Sequence, residues 1–112
     1  MDPGAERSGR PLVLIVDDDR DFTTTLAHVI TAKGYDPVVA HSGKEAIQTI
    51  AHIRPDLALV DLKLPDIDGA EVLAQIKAGS PRTEVIILTG YATPDTARGC
   101  LNLGAFDYLQ KP

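Results

Sequence analysis

Five apolar runs alternate with helical patterns along the chain. Four of them, Leu12–Val16, Pro37–Ala40, Leu57–Val60 and Val85–Leu88, are short and continuous, which is typical of strands buried on both faces. A weaker fifth run covers Ala105–Leu109. Because strands that alternate with helices pair in parallel, the pattern predicts an α/β fold. A closed barrel of this class needs about 250 residues, so we expect an open five-stranded sheet.

Four helices are predicted between the runs, with polar residues and glycines at their ends. They extend from Arg20 to Lys33, from Ser42 past Ile50, from Asp68 to Gly79, and from Thr93 to near Gly104. Glu45 lies three residues after Ser42, and Glu71 three after Asp68. This spacing predicts that each pair satisfies two free backbone N–H groups at the start of its helix.

Composition narrows the function. The chain has 112 residues, 44% of them apolar, which suits one domain. Residues 1–10 offer little to bury and are predicted to be a flexible extension, so the domain comprises residues 11–112. The formal net charge of -5, without a Lys/Arg stripe, argues against nucleic-acid binding. A single cysteine and no basic-apolar leader predict a reducing, cytoplasmic setting without membrane insertion.

Chemically distinctive side chains follow the predicted strands. They are Asp17, Asp18 and Asp19 after the first run, Asp61 after the third, Thr89 after the fourth and Lys111 after the fifth. In open parallel sheets these positions share one edge, where ligands bind. Clustered carboxylates repel one another by about 4 kcal/mol per pair at about 4 Å. One lysine leaves an acidic excess, so the pattern predicts a hard divalent cation, Mg²⁺.

Simpler interpretations exist for each residue. Acidic residues stabilise a helix N-terminus by about 0.3–1 kcal/mol each, and we assign Asp19 only this capping role. On spacing alone, Asp61 is almost equally well explained as a turn residue before Pro65. Thr89 and Lys111, taken singly, are ordinary strand-end and solvated residues. Their joint position at one sheet edge favours a site.

Four segments resemble the motifs of response-regulator receiver domains from two-component signal transduction. They are Val16–Asp19, Asp61–Gly69, Leu88–Gly90 and Gly104–Pro112. The resemblance runs from Leu12 to the last residue, with all motifs in order at strand ends. It implies a doubly wound, flavodoxin-like sheet in the order 2-1-3-4-5. It also implies a signalling module, not a turnover enzyme, that accepts a phosphoryl group from a histidine kinase or phosphotransfer protein and controls an output domain or downstream protein.

The resemblance implies roles for the acidic residues. Asp61 would be the phosphoryl acceptor. Asp18 would bind Mg²⁺ directly, Asp17 mostly through water, and Lys63 through its backbone carbonyl. Lys63 is less typical of the family, and its side chain would border the path of a hydrolytic water and so alter the lifetime of the phosphoryl group.

The resemblance also implies a switch. Thr89 and Lys111 would contact different phosphoryl oxygens, and Tyr108 would swing inward as Thr89 moves. Taken singly, Tyr108 is more typical of a half-buried aromatic than of a switch. No role is assigned to Tyr91, Cys100, His28, His41 or His52.

Two other function classes compete with this interpretation. A haloacid-dehalogenase-like phosphatase would carry its nucleophile after the first strand in an Asp-x-Asp-x-Thr pattern, and Asp17–Asp21 lacks that threonine. A receiver fold that only binds proteins would have lost acidic residues, whereas all of them are present here. Both alternatives are therefore disfavoured.

The resembling family continues into a fifth helix beyond the position of Pro112. Without that helix, Leu109 and alternate residues of Val85–Leu88 are predicted to be exposed on the face covered by the first helix. We expect this face either to be covered by a neighbouring chain, as in a homodimer, or to leave the domain marginally stable. A cis peptide bond before Pro112 is also predicted, to turn Lys111 toward the site.

Overall fold

The computed structural model describes residues 9–112, so most of the extension predicted for residues 1–10 lies outside it. Strands β1 to β5 comprise Leu12–Val16, Asp36–Ala40, Leu57–Val60, Glu84–Thr89 and Asp107–Gln110. Helices α1 to α4 comprise Arg20–Ala32, Gly43–Ile50, Gly69–Gly79 and Pro94–Asn102. No helix within residues 9–112 is both long and apolar enough to cross a lipid bilayer.

The strands form one parallel sheet in the order β2-β1-β3-β4-β5. Strand β1 lies between β2 and β3, so the chain adds β2 on one side of β1 and the later strands on the other. This confirms the α/β class predicted from the alternation of strands and helices, and the doubly wound order implied by the family resemblance. It also places the carboxyl ends of β1 and β3 side by side, at the position where open α/β sheets bind ligands.

The larger core lies between the sheet and helices α2, α3 and α4. It is built from alternate strand residues and from small or branched helix residues, namely Leu14, Val16, Ala40, Ala46, Ile50, Ala58, Val60, Val72, Leu73, Ile76, Val85, Ile87, Cys100 and Ala105. Helix α1 packs against β1 and β2. Since strand side chains alternate between faces, Ile15 belongs to the opposite face from Leu14 and Val16.

The face on the α1 side is less completely covered near β4 and β5. Leu109 is 45% exposed, and Ile86 and Leu88 are only partly buried, whereas Val85 and Ile87 on the other face are fully buried. The predicted exposure is therefore confirmed for Leu109, whereas the alternate β4 residues Ile86 and Leu88 are exposed only in part.

Two of the predicted helix caps are only half correct. The Glu45 N–H donates to Ser42 Oγ at 3.1 Å, but the Glu45 carboxylate accepts from the His41 N–H at 2.8 Å instead of from Ser42. Asp68 accepts from the Ala70 N–H at 2.8 Å, while the Glu71 carboxylate pairs with a side chain one turn along. A full reciprocal box forms instead at α4. Short local bonds compete at each helix start, which residue spacing alone does not resolve.

The predicted cis peptide bond is wrong, because residues 9–112 contain none. The Lys111 N–H donates to the Thr89 carbonyl at 2.9 Å, which continues the β4–β5 pairing. The long lysine side chain then covers the remaining distance to the site. No sharp backbone turn is needed, and trans remains the favoured isomer by about 0.5–1 kcal/mol.

Candidate functional site

The site begins with the pairing of β1 and β3. Val16 is in register with Val60, and the Asp61 N–H donates to the Val16 carbonyl at 2.9 Å. Asp17 and Asp61, the next residues along the two strands, are therefore neighbours. The Asp17 N–H donates to the Ala40 carbonyl at 3.0 Å, which ties the same edge to β2. The sheet itself thus holds two carboxylates from distant parts of the sequence together.

Three carboxylates converge at this edge. Ligand oxygens of Asp17, Asp18 and Asp61 all lie within 4.8 Å of one another. Asp17 is 2% and Asp61 6% exposed, whereas Asp18 faces solvent. Such a set of hard oxygen ligands, open on one side, has the chemistry that Mg²⁺ prefers, since this ion keeps several waters and needs only a few carboxylates.

Lys111 neutralises part of this charge. Its ammonium donates to Asp17 Oδ2 at 2.5 Å and to Asp61 Oδ2 at 3.0 Å, and its side chain is 17% exposed. Burial lowers the pKa of the Lys111 ammonium, but hydrogen bonds and charge from the two carboxylates outweigh it, so the net pKa is raised. Lys111 therefore remains charged at neutral pH.

Backbone N–H groups orient the other carboxylate oxygens. Asp17 Oδ1 accepts from the Asp19 N–H at 2.9 Å, and Asp61 Oδ1 accepts from the Lys63 N–H at 3.2 Å. Each buried carboxylate is thus held between a backbone donor on one oxygen and the shared ammonium on the other. Asp19 also caps α1 by accepting from the Phe22 N–H at 3.0 Å, as its position predicted.

The loop from β3 to α3 passes close beneath Asp61. A Cβ added at Gly69 would overlap the Asp61 carbonyl oxygen and the Leu62 Cα, so only glycine fits there. Asp66, in the same loop, accepts from the N–H groups of Gly43 at 2.9 Å and Lys44 at 2.8 Å. These backbone bonds lower the pKa of Asp66. Asp66 has no role in the sequence-based prediction, because its partners at the start of α2 lie 23 and 22 positions away along the chain.

Thr89 ends β4, whereas Tyr108 is the second residue of β5 and is in register with Ile87, and the two side chains contact different partners. Thr89 is fully buried, and its hydroxyl accepts from the Tyr91 N–H at 3.1 Å. The Tyr108 hydroxyl forms a 2.6 Å hydrogen bond with Thr96 Oγ1, on the first turn of α4. The structure thus joins the aromatic residue to the helix start through Thr96, which sequence analysis did not single out.

Residues left without a role also surround the site. The Lys63 ammonium lies 5.2 Å from the ring centre of Tyr91, whose side chain is 62% exposed. His41 Nδ1 lies 3.1 Å from the Asp17 carbonyl oxygen. Cys100 is buried at a cavity of about 420 Å³ shared with Lys63 and Tyr91, and burial raises the pKa of its thiol, with a smaller effect from Asp68.

The chain is similar to one segment of several bacterial regulatory proteins. The chain is 37% identical over 100 residues to the regulatory protein AtoC of Escherichia coli K12, covering 89% of this chain and 22% of that protein. The chain therefore spans about a fifth of the length of the curated relatives it matches.

Solved structures give the same result. A response regulator from Burkholderia pseudomallei, described with a phosphorylated aspartic acid, calcium ion and citrate, superposes with a TM-score of 0.88 at 32% identity, over 91% of this chain and 60% of that one. A CheY-like receiver domain protein from Methanospirillum hungatei gives 0.89 at 34% identity, over 92% and 82%.

The model of the response regulator receiver domain matches residues 13–112, from the first buried residue of β1 to the end of the chain. This match includes all of the described strands and helices except Leu12, the first residue of β1. The chain belongs to the response regulator receiver domain family of two-component signal transduction.

Proposed function

We propose that this domain accepts a phosphoryl group on the Asp61 carboxylate and uses it as a signal. One observation carries the proposal: Asp61 is held beside two further acids and one ammonium at the edge of the sheet. A buried carboxylate without a cation of its own costs folding free energy. Here Lys111 is shared by the buried carboxylates of Asp17 and Asp61. Together with the solvent-exposed carboxylate of Asp18, the cluster therefore has a net negative charge on its open side.

The reaction needs no general base, because Asp61 reacts as an ionised carboxylate. One of its oxygens forms a bond to phosphorus while the bond from phosphorus to the donor's leaving atom breaks, and that atom keeps the electron pair. The donor is a phosphohistidine or a small acyl phosphate. Lys111 stabilises charge on one phosphoryl oxygen, and the Thr89 hydroxyl donates to another.

The acidic residues suit a divalent cation, and we infer Mg²⁺. Asp18 would bind it directly, Asp17 mostly through water, Asp61 through its carboxylate and Lys63 through its backbone carbonyl. When bound, the ion supplies positive charge that offsets the charge of the phosphoryl group. The exposed carboxylate of Asp18 leaves the cluster open to solvent, which suits an ion that retains waters.

The output of the domain is a change of surface. We propose that Thr89 and Tyr108 form its switch, because Thr89 ends β4, the strand next to that of the acceptor, and Tyr108 on the adjacent β5 bonds to α4. Movement of Thr89 toward a phosphoryl oxygen would alter the packing under Tyr108. The hydrogen bond to Thr96 would carry that change to the start of α4.

The partners follow from this role. We propose that a histidine kinase or phosphotransfer protein supplies the phosphoryl group and that an output domain or downstream protein reads the switched surface. The receiver unit would be residues 11–112. The net charge of -5 leaves nucleic-acid binding to another domain. The assembly that we propose is a homodimer. The compartment that we propose is the cytoplasm, because the free, buried Cys100 suits a reducing environment.

Intact-protein mass spectrometry after treatment with acetyl phosphate and Mg²⁺ tests the proposal. We expect one added phosphoryl group in the wild type and none in Asp61→Asn, while thermal melting stays at or above that of the wild type because acidic repulsion falls. Asp95→Asn, at an exposed acid on α4, is the matched control and should label normally. Undiminished labelling of Asp61→Ala would refute the assignment. Steady turnover of a generic phosphomonoester would instead favour a phosphatase.

A further inference from the structure

The ring of Phe22 lies directly against the ammonium of Lys111. The Lys111 Nζ is 4.4 Å from the ring centre. An ammonium has three N–H donors, and two of those of Lys111 point to Asp17 and Asp61. The aromatic face occupies a further direction around the same nitrogen, at a distance that permits a cation–π interaction.

Local structure fixes the position of this ring. Phe22 is in the first turn of α1, and its N–H donates to the capping Asp19 carboxylate at 3.0 Å. The Asp19 N–H donates in turn to Asp17 Oδ1 at 2.9 Å. Asp17, Asp19, Phe22 and Lys111 therefore form a closed circuit of contacts that begins and ends at the Asp17 carboxylate.

The surroundings are dry enough for the ring to matter. Phe22 lines the same narrow void as Asp17, Asp61 and Leu88, and this void has no room for a water molecule. Cation–π attraction strengthens when the cation is desolvated, and the Lys111 side chain is only 17% exposed. An aliphatic side chain of similar size would fill the space but would not attract the ammonium.

We propose that Phe22 is a positioning residue that holds the Lys111 ammonium at the acceptor. This inference rests on the proposed function. The carboxylate partners of Lys111 change during the reaction, since the Asp61 carboxylate loses its charge when it forms an acyl phosphate with the phosphoryl group. The ring is a neutral partner that no step of the reaction alters. The ring keeps the Lys111 ammonium aligned while one hydrogen bond of this ammonium changes its acceptor, from the Asp61 carboxylate to a phosphoryl oxygen.

The contact has a spectroscopic signature that does not require phosphorylation. Protons of the Lys111 ε-methylene group, held near the ring face, should resonate upfield in the proton NMR spectrum. Phe22→Leu should return them to the usual lysine position, and Phe22→Tyr should keep them shifted. Phe106→Leu, at the other phenylalanine of the chain and 67% exposed, is the matched control and should change nothing.

The functional test is the rate of Asp61 labelling by acetyl phosphate at several donor concentrations. We expect Phe22→Leu to lower the maximal rate about tenfold with little change in the donor concentration giving half of it, because alignment and not donor binding is impaired. Phe22→Tyr should restore the rate. Phe22→Met is a second variant without an aromatic ring. Its flexible side chain can fill the space left by the ring, so it guards against a folding defect in the leucine variant.

Each outcome decides something. A wild-type labelling rate in folded Phe22→Leu or Phe22→Met, despite loss of the upfield shift, would overturn the inference, as would an unshifted Lys111 signal in the wild type. A wild type that never labels would overturn the proposed function, and the NMR comparison alone would then decide whether Phe22 positions Lys111.

Discussion

At the scale of single residues, the site is governed by an imbalance of charge. Lys111 is the cation bonded to both Asp17 and Asp61, at 2.5 and 3.0 Å. Removing a cation from buried carboxylates costs about 3–5 kcal/mol, whereas removing one of two competing carboxylates relieves repulsion. The arrangement on which the proposed reactivity of Asp61 rests therefore also makes its replacement structurally tolerable.

Thr96→Val tests the link between Tyr108 and α4. Valine has the shape of threonine but cannot bond to the Tyr108 hydroxyl, which now pairs with Thr96 Oγ1 at 2.6 Å. We expect a loss of about 1 kcal/mol or more in the free energy of unfolding, because Thr96 Oγ1 also accepts from the Thr93 N–H at 3.2 Å in the α4 cap. The ring motion of Tyr108, which should become faster by NMR, reports on the Tyr108 hydrogen bond itself. The same change at Thr25, an exposed residue of α1, is the control. An unchanged Tyr108 spectrum would show that the hydrogen bond does not restrain the ring.

Residues that follow strands could be predicted from the sequence, and residues that support them could not. Asp17, Asp61 and Lys111 were identifiable because parallel strands deliver their carboxyl ends to one edge. Phe22 is part of the apolar stripe of a helix, so the sequence pattern shows it as a packing residue. Its contact with Lys111 depends on how α1 packs against the end of β5, and the two residues are 89 positions apart in the sequence.

At the scale of elements, the approach of α3 to the end of β3 determines where Asp61 sits. Gly69→Ala would drive a Cβ into the Asp61 carbonyl, which is backbone and cannot move aside cheaply. We expect a loss of about 3 kcal/mol or more in unfolding free energy, by urea titration, together with weaker labelling of Asp61.

Gly99→Ala is the matched control for this substitution. Gly99 lies inside α4 with nothing within 4 Å of an added Cβ, so alanine should stabilise the helix by about 1 kcal/mol. Equal effects at the two glycines would contradict the close approach at Gly69.

Asp66 connects the loop after β3 to the start of α2, and its contribution should depend on pH. The folded pKa of Asp66 lies below its ordinary value of 3.8, chiefly because of the N–H groups of Lys44 and Gly43. Its stabilisation is therefore present above about pH 4 and is lost as pH falls through the folded pKa. Asp66→Asn should lower the urea midpoint at neutral pH, and the difference should close in acid.

Glu71→Gln is the control for Asp66→Asn, because the Glu71 carboxylate is exposed and bonds only to the Gln75 side chain in the contacts described for residues 9–112. Its effect on the urea midpoint should be small at every pH. A difference between Asp66→Asn and the wild type that persists unchanged in acid would rule out the ionised carboxylate as the cause.

Elements were more predictable than their exact ends. The weak fifth run was placed at Ala105–Leu109, whereas β5 spans Asp107–Gln110. Gly104, with a φ of 103°, terminates α4, and Ala105 turns into the core before pairing begins. Which local donor reaches which cap depends on competing short bonds, and this explains why the Ser42 and Asp68 caps were predicted only in part.

At the scale of the whole molecule, strand order and net charge act together. The order β2-β1-β3-β4-β5 collects the acids at one edge, in a chain whose formal net charge is -5. Repulsion within such a chain disfavours the compact state. A divalent cation that binds only the folded cluster should therefore stabilise the entire domain through linkage.

Magnesium binding should accordingly raise the melting temperature. At a concentration about 100 times the Kd, linkage adds about 2.7 kcal/mol, or a shift on the order of 10 °C for a domain of this size. NaCl of equal ionic strength should give a much smaller shift, since it only screens charge.

Asp18→Asn removes an exposed carboxylate of the cluster and should abolish most of the Mg²⁺ effect. Glu84→Gln, at the opposite end of the sheet beside Lys77, should retain it. Equal stabilisation by NaCl, or a full Mg²⁺ shift in Asp18→Asn, would mean that the acidic cluster does not bind the ion.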